Sequence, residues 1–166
     1  ENVFYVKCKS VNDILNTNSY FIKVKVAEGP DLSPPLLKGF NIPSTSYLKY
    51  DQSQITNLIL YYEDRTGVNA NGGCKYSETN QDYSLMENNM SCSQTRISSG
   101  ANQGQFACST NLKLNSNQDN QFYFACQDKS QGKYTNTANQ ELTLKISQPL
   151  KIIDQGPDGD VLATKV

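Results

Sequence analysis

The chain has 166 residues, with 15 Lys+Arg against 16 Asp+Glu, a net charge of −1 and neither His nor Trp. Without a basic block it lacks the cationic stripe that nucleic-acid binding uses to displace counterions, and no apolar run approaches the roughly 18 residues of a membrane span. Lack of histidine removes the Ser-His and Cys-His pairs of nucleophilic catalysis, so the chain reads as a non-enzyme. Hydrophobic residues make up 37% and ten are tyrosine; solubility rests on Asn, Gln, Ser and Thr rather than on charge, which predicts an extracellular or cell-surface β-protein.

Taken in order, the elements read as short strands separated by turn residues, with no useful helical period. Glu1 to Val6 reads as the middle of a strand, and Ile22, Val24 and Val26 alternate with Lys23 and Lys25. Leu36 to Ile42, flanked by prolines, predicts an edge strand. A short piece at Tyr47 to Tyr50 follows. Gln54 to Asp64 is the strongest core strand, with Leu58, Leu60 and Tyr62 on one face, and Glu63 and Asp64 read as its solvated end. Asn71-Gly72-Gly73 predicts a tight turn before Cys74 to Ser77. Gln105 to Leu114 is another strand, and Phe122 to Gln127 with Glu141 to Ser147 forms a closing hairpin. About seven alternating strands in this span predict an all-β, Greek-key β-sandwich.

The chain also repeats itself. Glu-Asn-Val-Phe-Tyr-Val-Lys-Cys at 1–8 matches Asp-Asn-Gln-Phe-Tyr-Phe-Ala-Cys at 119–126 without a gap. Ile22, Val24 and Val26 correspond to Leu142, Leu144 and Ile146, and Pro35 with Pro43 corresponds to Pro149 with Pro157. The offsets are 118 between the cysteines, 120 between the strands and 114 between the prolines. Residues 1–33 are therefore expected to be the C-terminal strands of a preceding repeat, 34–147 one complete repeat, and 148–166 the first strand of a following one.

Gly73-Cys74-Lys75-Tyr76-Ser77, then Tyr83 and Met86, then Phe122-Tyr123-Phe124-Ala125-Cys126-Gln127-Asp128 resemble the tandem fibronectin type III-like or immunoglobulin-like repeats of bacterial and archaeal cell-surface proteins. Those repeats carry Cys-Arg-Tyr-Ser, a later Tyr and Met, and a closing Tyr-Tyr-Val-Arg-Cys-x-Asp strand. Here Lys75 and Ala125 replace the two arginines, and Cys92 and Cys108 are additional. The resemblance implies an immunoglobulin-like fold and a place in a tandem surface array.

Five cysteines without a Cys-x2–4-Cys pair, and without histidine, argue for disulfides in an oxidising compartment rather than for zinc. On the strand reading, Cys74 faces Cys126 across the sandwich and Cys92 closes a smaller loop with Cys108. The alternative, Cys74–Cys92 with Cys108–Cys126, stays open. Cys8 corresponds to Cys126, so its partner is expected outside this segment.

Three further features bear on ligands. Asp154, Asp158 and Asp160 around Gly156-Pro157 are weak calcium candidates, since hard cations take oxygens from turns; no other cofactor is indicated. Asn89-Met90-Ser91 is a glycosylation sequon. The tyrosines raise a sugar-stacking surface, although most fall in strands as core or cross-strand residues.

The expectation is thus a structural repeat of an extracellular microbial fibre, stalk or filament. Its partners would be neighbouring copies or adjacent repeats, joined by strand complementation. The alternative is an adhesin or carbohydrate-binding module with a surface or glycan target.

Overall fold

The computed structural model describes residues 2–25, 27, 29–115 and 118–147. The chain divides into two compact units, Glu1–Pro30 and Asp31–Val166. The first holds one antiparallel hairpin, β1 (Asn2–Val6) and β2 (Tyr20–Val24), with Phe4 opposite Ile22.

Among its described residues the second unit is all-β, with one 3-10 turn at Tyr83–Leu85. Its strands are β3 (Leu36–Phe40), β4 (Thr45–Leu48), β5 (Gln54–Glu63), β6 (Asn71–Ser77), β7 (Asn88–Cys92), β8 (Phe106–Lys113), β9 (Asn120–Cys126) and β10 (Gln140–Ile146). They form one sheet in the order β3-β5-β8-β7-β6-β9-β10-β4. Every pair is antiparallel except β10 with β4.

Chain length dictates that this sheet curls. Consecutive strands β3 and β4 occupy opposite edges, yet only residues 41–44 join them. Seven strand spacings of about 4.8 Å would separate the edges of a flat sheet by about 34 Å. The five steps from Phe40 to Thr45 reach at most about 18 Å. The link bonds to both sides: Asn41 N–H donates to Ile59 O of β5 (3.0 Å), and Thr143 N–H of β10 donates to Ser44 O (2.8 Å). Curling brings Phe40 of β3 onto Phe124 of β9, with ring centroids 4.8 Å apart.

Period-two alternation builds the core. Leu58, Leu60 and Tyr62 of β5 are fully buried, as are Leu142 and Leu144 of β10 and Phe124 of β9. Burying each such side chain contributes roughly 1.5–3 kcal/mol. β3 lies at an edge, where its proline-flanked sequence fits.

Three local expectations are corrected. Asn71 to Gly73 is not a turn but the start of β6, which carries a register shift between Asn71 and Lys75. Gly72 takes φ +72°, and a Cβ on Gly73 would fall 2.6 Å from Val68 Cγ2 and run into the Asn69 backbone. The stretch around Cys92 contains the unforeseen strand β7, whose Met90 and Cys92 turn inward between polar neighbours. Third, Asp64 is buried rather than solvated, whereas Glu63 is exposed and pairs with Lys38 at 3.0 Å.

Candidate functional site

The two hairpins, one in each unit, share a hydrogen-bond set. In the second unit Asn136 Oδ1 accepts the Cys126 N–H (2.5 Å), and Asn136 N–H donates to Cys126 O (3.1 Å). Asn136 Nδ2 donates to Ala138 O (2.6 Å). In the first unit Asn16 Oδ1 accepts the Cys8 N–H (2.6 Å), Asn16 N–H donates to Cys8 O (3.0 Å), and Asn16 Nδ2 donates to Asn18 O. Farther out, Asp128 N–H donates to Tyr134 O (2.9 Å) as Ser10 N–H donates to Ile14 O (2.8 Å). Lys133 and Asp13 both have positive φ at the loop tips, +49° and +64°. The loops differ in length by two residues, so the match lies in geometry as well as in letters.

Their surroundings differ. Phe122, Leu142 and Leu144 are at most 2% exposed, because β6 flanks β9, β4 flanks β10 and the core covers their inner face. The corresponding Phe4, Ile22 and Val24 are 55%, 55% and 40% exposed. An isolated two-stranded hairpin is marginal in water, and this one presents an uncovered apolar face.

The cysteines follow the sheet. Cys74 of β6 lies directly opposite Cys126 of β9, with sulfurs 1.94 Å apart and Cα atoms 4.0 Å apart. Cys92 of β7 lies opposite Cys108 of β8, with sulfurs 2.09 Å apart. Both bridges therefore join neighbouring strands, and the expected bridge across the sandwich is corrected to one within the sheet. The sulfurs of Cys74, Cys92 and Cys108 lie within 4.8 Å of one another, so the two bridges sit side by side in the core. Cys8 is exposed and has no disulfide partner among the described residues.

Three buried aspartates of the second unit form a separate cluster. Oxygens of Asp31, Asp64 and Asp128, which are 7%, 8% and 1% exposed, lie within 4.8 Å of one another. Alternation places two of them: Asp64 has the inward parity of Leu58, Leu60 and Tyr62, and Asp128 that of Phe122, Phe124 and Cys126. That parity is the signal that marks them in the sequence. Asp31 carries no comparable one.

Each carboxylate is held by its own loop. Asp31 Oδ1 accepts from Ser33 N–H (3.2 Å) and Ser33 Oγ–H (2.8 Å). Asp64 Oδ2 accepts from the N–H groups of Thr66 (3.0 Å) and Gly67, in a turn that Gly67 makes at φ +77°. Asp128 accepts from Tyr134 N–H (2.8 Å) and Ser130 Oγ–H (2.8 Å). The Lys129 N–H to Gly67 O bond (3.0 Å) draws the last two loops together. Thr66 Oγ is 3.1 Å from Asp31 Oδ2 and 3.2 Å from Asp64 Oδ2, with one proton to share between them. Asp64 Oδ1 is buried and accepts nothing.

The charges respond to this setting. Burial raises the Asp64 pKa, and the charges of Asp31 and Asp128 add to that, against the opposing bonds from Gly67 and Thr66. Burial also pushes Asp31 upward, but the bonds from Ser33 and Thr66 outweigh it and hold that carboxyl below its ordinary value. Arg96 lies over the Phe106 ring and donates to the backbone oxygens of Asp64 and Gly104.

Of the sequence candidates, Asp154, Asp158 and Asp160 lie outside the described residues. Asn89 is exposed on β7, its amide over Gly72. Comparison with family models, curated proteins and solved structures finds no match to this chain.

Proposed function

We propose that the second unit is one immunoglobulin-like, Greek-key repeat of an extracellular fibre or stalk, and that the β1–β2 hairpin closes the repeat before it. The observation that carries this reading is the paired hairpins: one hydrogen-bond set, with one copy buried in a sheet and the other bare. The bare copy has the shape and apolar face to take the place of β9–β10 in a preceding sheet. There it would lie between the equivalents of β6 and β4, with Cys8 opposite the equivalent of Cys74.

The strand order supports the two-layer reading. β7 and β8 pair through only two residue pairs, Ser91–Ser109 and Cys92–Cys108, a narrow seam between β3-β5-β8 and β7-β6-β9-β10-β4. The two parts meet through the Phe40–Phe124 contact. The role is mechanical: each repeat resists extension through a buried core and two cross-strand bridges, and each passes its neighbour a hairpin rather than a loose linker.

Electron microscopy of the intact native protein tests this reading. Beaded filaments with one bead per repeat are expected, and isolated globules would overturn it.

A further inference from the structure

We propose that Asp31, Asp64 and Asp128 bind one calcium ion. Three carboxylate oxygens within 4.8 Å of one another span the distance that ligands held about 2.4 Å from a common calcium ion can cover. Hard oxygen donors without sulfur or imidazole select calcium or magnesium over transition metals. The flexible geometry that calcium accepts suits ligands drawn from three separate loops.

The second observation is Asp64 Oδ1. Asp64 is more than nine-tenths buried, its Oδ2 is occupied by Thr66 and Gly67, and its Oδ1 has no hydrogen-bond partner. A buried charged oxygen left bare costs free energy that a cation would recover. The first shell is completed by water, as calcium sites with few protein ligands require.

Bound there, the ion ties three segments: the incoming stretch at Asp31, the turn at 64–67 after β5, and the β9–β10 loop at Asp128. The corresponding loop of the first unit has Ser10 in the place of Asp128, with Ser10 Oγ accepting the Ile14 N–H (3.2 Å). A site built on that hairpin would hold one carboxylate fewer. The proposal stands independently of the fibre reading, since all three ligands belong to the second unit.

Terbium luminescence excited through tyrosine, with calorimetric calcium titration of the 166-residue protein, provides the test. Tyr62, two residues before Asp64 on the same inward-facing side of the chain and fully buried, is the antenna. Sensitised emission displaced by calcium is expected, with a dissociation constant of about 0.1–1 mM, the range of extracellular modules. Asp64→Asn, which keeps the side-chain shape, weakens binding about tenfold or more. A melting scan with calcium and then EDTA gives a second readout in the unmutated protein: Tm rises and returns. No sensitised emission together with an unchanged Tm overturns the proposal, as does equal calcium affinity in Asp64→Asn; a bound water in place of the ion would give that first result.

Discussion

Asn136 closes a two-way hydrogen-bond pair with Cys126, its Oδ1 accepting the cysteine N–H at 2.5 Å while its own N–H donates to the cysteine carbonyl at 3.1 Å. The bond anchors the loop of the β9–β10 hairpin at the strand end that also carries the disulfide. Asn16 does the same for Cys8. A fully buried Cys126 N–H left without its acceptor costs about 1–3 kcal/mol. Asn136→Ala should therefore lower the unfolding free energy measured in urea by that much. Asn136→Asp, which keeps an acceptor, should lose less, and equal losses would show that the bond to Cys126 is not the stabilising one.

The two bridges should differ in worth. Cys74–Cys126 spans 52 residues and Cys92–Cys108 spans 16. Loop-closure entropy assigns them about 4 and about 3 kcal/mol. Replacing each pair with alanines and measuring unfolding in urea should rank Cys74–Cys126 as the costlier loss. The reverse order would mean that packing of the stacked sulfurs, not the loop each bridge closes, sets their contribution.

Gly73→Ala should destabilise by about 1–3 kcal/mol or more, because the added methyl meets the backbone of Asn69 and cannot be relieved by a rotamer change. Gly29→Ala serves as the control, with open space around it. Thermal melts of the two variants check this, and matching Tm values would remove the packing claim for β6.

Asp64 makes stability pH-dependent in metal-free buffer. Its folded pKa is raised, so between its unfolded value near 3.8 and the folded one the folded state binds more protons. Stability should then rise as pH falls from neutral into that window. Asp31, held below its ordinary value, acts the other way, its contribution being lost as pH falls through its lowered folded pKa. Urea midpoints in EDTA should show the rise in the native protein and a flatter profile in Asp64→Asn. Coincident profiles would assign the buried charge to another group.

Much of this architecture is legible in the letters where one period governs a strand. Leu58, Leu60 and Tyr62, or Leu142 and Leu144, announce their faces because each strand has one wet and one dry side. β7 is hidden because Asn88, Asn89 and Ser91 carry little strand propensity; it is a strand because β6 and β8 pair with it on either side. The choice between cysteine pairings is hidden for a spatial reason, since three of the four sulfurs share one place in the core. Asp64 and Asp128 follow the inward parity of their strands, but a charged residue at a strand end reads as solvated until the fold shows what covers it. Asp31 reaches them from 33 residues before Asp64, which no local pattern encodes.

The repeat reading turns on where Cys8 is bonded in the native protein. Peptide mapping without reduction, by mass spectrometry, should find Cys8 linked to a cysteine of a preceding repeat, on a strand like the Gly-Cys-Lys-Tyr-Ser of β6, while Cys74–Cys126 and Cys92–Cys108 stay within this one. A free Cys8 thiol, or Cys8 joined to another Cys8, would contradict it.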